Sequence, residues 1–375
     1  MRTRSVRFGV ITVVAALALV TAACGSTNKS GGGESSSTTA AKLTGTLKGS
    51  GATFPNSFYQ QAIQVFQKGQ PGLTLTYDAK GSGGGQTDLQ GNLVQWAGSD
   101  DPVKSEDLPK FKGEFLYFPT VAAPITVSYN LSGVSKLQLS GETTAKIFTR
   151  AVKTWNDPAI AADNPGVTLP STAITVVHRS DSSGTTANFT KFLASAAPSV
   201  WTTGSSKTPA WATDTTGAEK NSGVANAVKQ TAGAIGYVDF ADAKAAGLAF
   251  AAVKNKNGEY VAPSLDAASK AVEGASVQSN LLYDPINSAA AGAYPITAPT
   301  WVLVYKSQPD ANTVANLKGW LTFLLGPGQS GAESVNFAAL PSSLALKAVA
   351  QLDQISVGGG SASTTTAGST TTAMK

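Results

Sequence analysis

Residues 176 to 189 read VVHRSDSSGTTANF, and positions 178 to 185 hold the chain's only histidine beside an arginine, an aspartate, three serines and a glycine. Such a mixture could supply a serine nucleophile with its base, a metal site, or a loop that grips an anion. A triad from His178, Asp181 and Ser183 is geometrically poor, because neighbours in one continuous stretch point in fixed and different directions. No G-x-S-x-G elbow occurs in the chain, which removes the usual mount for an exposed serine nucleophile. One histidine and one cysteine cannot make a zinc site of the usual kind. There is also no G-x-x-x-x-G-K-[ST] phosphate loop. Arg179 offers a planar fork of donors suited to an oxyanion, and Asp181, one residue further on, could hold that fork in one orientation. The plainer alternative is a surface ion pair.

Two other stretches share the chemistry of Ser183, Gly184 and Thr185. In GSGATFPNSFYQQAI, Thr53 and Phe54 precede Pro55. Proline suits the first turn of a helix, whose amides have no intrahelical acceptor. In KGSGGGQTDL, Ser82 stands among Gly81, Gly83, Gly84 and Gly85, where backbone can approach a ligand closely. Free amides and hydroxyls at a helix start, aided by the helix dipole, favour an anion. A single such turn is an ordinary cap, and three are more suggestive. Asp100, in VQWAGSDDPVKSEDL, reads on its own as a helix cap.

These turns need strands and helices to hold them. Apolar runs over 43–51, 73–79, 115–130, 174–179, 234–240 and 300–306 predict strands. Helical patterns cover 55–68, 85–94, 143–150, 186–196, 222–230 and 311–325. The alternation predicts an α/β fold. Trp155, Trp201 and Trp211 are expected to pack rather than to stack on bases, since they are not interleaved with basic residues.

The two ends read differently. Arg2, Arg4 and Arg7 precede the apolar run FGVITVVAALALV, which is too short to span a bilayer and fits an export signal over 1–23. Cys24, the only cysteine, excludes an intrachain disulfide. Its place after TAA resembles a lipoprotein signal, in which it becomes the lipidated N-terminus, although Thr21 stands where leucine is usual. The alternative is a cysteine lost with a plain signal peptide. Residues 24–42 then form a flexible tether, and the Ser/Thr-rich residues 357–375 a solvated tail. Of the formal charge of +5, loss of the three N-terminal arginines leaves about +2. With no dense basic cluster elsewhere, nucleic acid is not an expected partner.

GATFP, GSGGG, AGSDDP, HRSDSSGTT, GAIGYV and YPIT occur in that order between about Gly49 and Lys306. Together they resemble the phosphate-binding protein family of high-affinity phosphate ABC importers. The resemblance implies the class II periplasmic-binding fold: two α/β lobes joined by a two-crossing hinge, with ligand in the interlobe cleft. One lobe would be 43–120 plus 294–356 and the other 121–293, with crossings near FPTV and YPIT. Motif by motif, the resemblance implies phosphate held by Thr53, the Phe54 amide, Ser82, Asp100 as acceptor, Arg179, Ser183, Gly184 and Thr185, with Asp181 orienting Arg179. It implies no metal, no cofactor and no catalytic residue. The expected protein is a monomer that is exported, anchored to the outer face of the membrane through Cys24, and serves ABC permease subunits. Two departures stand out. Gly83 replaces a serine common in the second turn and would remove a donor, and Gln95-Trp96 replaces an Asp-Phe pair, where altered packing is expected. A binding protein for sulfate or molybdate, and a secreted phosphatase or hydrolase, are the alternatives. Asp100 argues against another oxyanion, because a carboxylate that must accept a hydrogen bond suits an anion that carries a proton.

Overall fold

One strand carries the architecture of the computed structural model, which describes residues 42–358. Eight strands order the main sheet: β1 (Gly45–Gly51), β2 (Leu73–Ala79), β3 (Trp96–Ser99), β4 (Phe115–Tyr129), β5 (Thr175–Arg179), β6 (Thr216–Ala218), β7 (Ala234–Asp239) and β8 (Thr297–Tyr305). Their order across the sheet is β2-β1-β3-β8-β4-β7-β5-β6. β4 is buried along nearly its whole length, as a strand covered on both faces must be. β2, at the edge, alternates buried and exposed residues.

β4 changes partner in mid-course. From Phe115 to Pro124 it runs antiparallel to β8, and from Ile125 to Tyr129 antiparallel to β7. The Ile125 amide donates to the Ile296 carbonyl at 2.7 Å, so the second connecting segment lies beside the first at the change of partner. The two halves of the sheet thus belong to two α/β lobes joined by two crossings. A register shift between Thr300 and Trp301 interrupts the β8–β4 ladder. Such irregularities bend a strand and re-aim its side chains.

Four helices matter for the site: α1 (Asn56–Gly69), α2 (Ser82–Gln90), α3 (Gly184–Ala196) and α4 (Lys220–Gln230). Three begin within two residues of the starts that the sequence patterns predict. The exception is α2, expected over 85–94. Its glycines read as loop by propensity, yet they form the helix's first turn, packed so that a Cβ on Gly85 would lie 2.5 Å from the Gly51 Cα. The helix ends at Gly91, before Asn92 with φ 54°. The strand expected over 300–306 starts three residues earlier, at Thr297.

Aromatic residues fill both lobes. Trp96 is wholly buried, stacks on Tyr77 at 4.9 Å and meets Tyr59 edge-on at 5.5 Å. In the other lobe Tyr237 stacks on Phe189 at 4.4 Å. Trp155 and Trp201 are buried in packing. The export signal, Cys24 with its tether up to Ala41, and residues 359–375 lie outside the described residues.

Candidate functional site

Each of the three turns stands at a helix start. Thr53 and Phe54 follow β1 and lead into α1, Ser82 opens α2, and Ser183 caps α3. Among the described residues, no acceptor takes a hydrogen bond from the amides of Phe54, Ser82, Gly184 or Thr185. The Phe54 ring turns the other way, into the core against Phe337 at 5.6 Å.

The turns meet. A Cβ on Gly184 would lie 2.3 Å from the Ser82 hydroxyl and 2.7 Å from the Asp100 Cβ, so only glycine permits the approach. Asn188, one turn into α3, donates to the Asp100 carbonyl at 2.6 Å. Asn221, in the first turn of α4, reaches from its Nδ2 to the hydroxyls of both Thr53 (3.2 Å) and Thr185 (3.1 Å). Thr53, Ser82, Asp100, Arg179, Ser183 and Thr185 are all buried.

Asp100 is 1% exposed. Its Oδ1 accepts from the Thr300 hydroxyl at 2.7 Å. Ser82 accepts from the Asp100 amide at 3.1 Å and donates to Asp100 Oδ2 at 3.4 Å. Burial pushes the Asp100 carboxyl up to about 7, opposed by the Thr300 hydrogen bond, the Arg179 charge and the Ser82 hydroxyl.

Arg179, at the end of β5, is 3% exposed. Its Nε donates to Asp181 Oδ1 at 2.6 Å and its Nη2 to Asp181 Oδ2, which leaves Nη1 buried without an acceptor among the described residues. The Lys220 amide also donates to Asp181 Oδ1, at 3.1 Å. Asp181 therefore fixes the guanidinium plane and aims its remaining corner. Although burial raises it, the Asp181 carboxyl ends below the usual range, chiefly through Arg179.

His178 takes no part. It stacks on Trp211 at 4.7 Å, with Nδ1 2.9 Å from the Arg179 carbonyl, and burial lowers its pKa. No group of three or more His, Cys, Asp or Glu among the described residues is placed to hold a metal. Neither is any described helix long and apolar enough to cross a membrane.

Three of the hydroxyls share a polarity. Ser183 accepts from the Thr186 amide at 3.1 Å, and Thr53 and Thr185 accept from Asn221, whereas Ser82 both accepts from the Asp100 amide and donates to Asp100 Oδ2. A hydroxyl that accepts from the protein has its own hydrogen left to give. The cluster thus collects donors (hydroxyls, amides and Arg179 Nη1) around one buried carboxyl, an arrangement complementary to an anion that carries a proton. Sequence reading missed Asn188, Asn221 and Thr300. The only signal for Thr300 was a hydroxyl in an otherwise apolar run, and a lone Asn in KNSG carries none.

The departures also find their places. Gly83 donates its amide to the Ser182 carbonyl at 3.1 Å. Trp96 presses on Gly49, where a Cβ would fall 2.0 Å from its ring, and Gln95 accepts from the Lys48 amide at 2.9 Å.

A family model described as a PBP superfamily domain matches residues 36–327. The chain is 36% identical over 309 residues to phosphate-binding protein PstS 3 of Mycobacterium leprae, covering 80% of this chain and 84% of that one. It is 35% identical over 312 residues to phosphate-binding protein PstS of Pasteurella multocida, covering 82% and 89%. Among solved structures, a phosphate-binding protein from Stenotrophomonas maltophilia superposes with a TM-score of 0.65 at 22% identity, covering 82% of this chain and 93% of that one. A periplasmic phosphate-binding protein (PfluDING) bound with phosphate gives a TM-score of 0.67 at 23% identity, with the same coverage.

Proposed function

Because the chain belongs to the PBP superfamily and, within it, to the PstS phosphate-binding proteins, we propose that it binds inorganic phosphate outside the cytoplasm and delivers it to an ABC-type importer. One observation carries the choice of ligand: a buried carboxyl, Asp100, stands beside hydroxyls, free backbone amides and the one unpaired corner of Arg179. Near neutral pH phosphate keeps at least one proton and sulfate keeps none. An unmet buried polar group costs about 1–3 kcal/mol, and more when it is charged. Sites built on such a requirement reject the analogue lacking the group by roughly 10⁴–10⁵.

In this reading Thr53, the Phe54 amide and Ser82 hold phosphate from one lobe. Arg179, Ser183, Gly184 and Thr185 hold it from the other, with Asp181 steadying Arg179. The lobes are residues 43–120 with 294–356, and 121–293. Arg179 Nη1, the amides and the hydroxyls supply affinity for any tetrahedral oxyanion, and Asp100 selects the protonated one. The protein acts as a monomer and turns nothing over. Export and lipidation of Cys24 hold it at the outer face of the membrane beside the permease; loss of palmitate labelling in Cys24→Ala tests the anchor.

Calorimetry on protein stripped of bound phosphate tests the ligand. Phosphate should bind at one per chain and sulfate should not compete at a thousandfold excess. Comparable binding of sulfate would overturn the reading.

A further inference from the structure

Asn221 is fully buried, and its side chain is the only one among the described residues that hydrogen-bonds to Thr53 and Thr185 together. The first of these threonines follows β1 in one lobe, and the second opens α3 in the other. The amide nitrogen has two hydrogens, and each goes to one hydroxyl. Neither hydroxyl donates to any acceptor among the described residues. The Asn221 Oδ1, although buried, has no partner there either.

We propose that Asn221 is a positioning residue of the anion site, which occupies one lone pair on each threonine and so turns both hydroxyl hydrogens toward the ligand. The inference rests on the phosphate reading above and adds to it a source for the donor polarity of the cleft. The opposite arrangement, with Oδ1 facing the threonines, would draw both hydrogens away and present lone pairs to the anion. Because Asn221 spans the two lobes, it can do this for both threonines only in the closed form.

A mutant cycle separates this role from simple packing. Phosphate affinity is measured by calorimetry on stripped wild type, Asn221→Ala, the double variant Thr53→Val/Thr185→Val, and the triple variant. Asn221→Ala should weaken binding about tenfold or more. In the valine background it should add almost nothing, because the hydroxyls through which it acts are gone. The same fold-loss in both backgrounds, or wild-type affinity in Asn221→Ala, would overturn the proposal. Should Asn221→Ala fail to fold, Asn221→Ser enters the same cycle; its single hydrogen can serve one threonine, so an intermediate loss is expected that vanishes in the valine background. Failure of the wild type to bind phosphate would count against the phosphate reading instead.

Discussion

The Gly83 amide donates to the Ser182 carbonyl at 3.1 Å across the cleft, and a Cβ placed on Gly83 would lie 2.1 Å from the Ser182 hydroxyl. The two positions are therefore coupled, since the space a side chain at 83 would need is already filled by the side chain at 182. The missing serine of the second turn is thus not a simple loss of a donor. Gly83→Ser should hold the lobes apart and weaken phosphate binding about tenfold to a hundredfold, the range for overpacking a tight contact. Adding Ser182→Gly should recover most of that loss. Calorimetry on the two single variants and the pair would show it, and equal losses in Gly83→Ser with and without Ser182→Gly would contradict the coupling.

Arg179 keeps a single corner, Nη1, free of Asp181. A lysine there keeps the charge but cannot both grip Asp181 along one edge and reach an anion with another. Arg179→Lys is expected to lower phosphate affinity by about 10²-fold and Arg179→Ala by about 10³-fold or more. Far-ultraviolet circular dichroism of both should match the wild type. Retained affinity in Arg179→Ala would remove this residue from the site.

Asp100 predicts a pH dependence with a definite sign. Burial raises its carboxyl to about 7 in the folded protein. Below that pH the group is protonated and can donate; above it the group only accepts. Rejection of sulfate should therefore be strong at pH 8 and relax by about tenfold or more at pH 5.5, as the acceptor becomes a donor. Asp100→Asn, which carries a donor at every pH, should bind sulfate and flatten the profile. Stability follows from the same shift. The folded state holds this proton more tightly than the unfolded chain does, so the ligand-free protein should lose stability as pH rises from about 4 to about 7. Asp100→Asn should melt a few degrees higher than the wild type at pH 8. Competition titrations and thermal unfolding across pH check the two halves separately.

Much of this candidate site was legible because its donors sit where local rules put them. Thr53, Ser82 and Ser183 each stand at a strand-to-helix junction, and a hydroxyl beside glycine or proline before a helical pattern marks such a junction. Asp181 and Arg179 are two residues apart on one strand end, so their pairing needed no tertiary knowledge. Asn221 and Thr300 were invisible for the opposite reason. Asn221 lies 168 residues from Thr53 and Thr300 lies 200 from Asp100, so only the folded chain brings these pairs together. The α2 start was misplaced because glycine propensity argues for a loop, whereas packing on β1 and the contact to Ser182 hold those residues in a helical turn. Local preference gave way to tertiary packing there.

Lys207 offers a test of closure itself. It is 9% exposed and lies in the irregular segment after α3. Its Nζ crosses to the other lobe, donates to Gln86 Oε1 at 2.7 Å and lies 3.6 Å from Asp101 Oδ2. Gln86 is in turn held by donating to the Ser99 hydroxyl at 3.0 Å, and the Lys207 carbonyl accepts from the Ser183 amide at 3.2 Å. The lysine thus ties the turn that carries Ser183 to α2, which carries Ser82, and to Asp101 beside Asp100. Burial lowers its pKa and raises that of Asp101, and each charge opposes the shift in the other. These contacts join the two lobes across the closed cleft, so they should slow release more than they speed capture. Lys207→Met keeps most of the stem and removes the charge and its hydrogen bond. It is expected to raise the phosphate dissociation rate about tenfold with a smaller change in the association rate. Lys207→Met/Asp101→Asn should recover part of the loss, because the buried carboxylate no longer lacks a partner. Stopped-flow displacement of phosphate measures both rates, and an unchanged dissociation rate in Lys207→Met would show that the contact does not hold the lobes together.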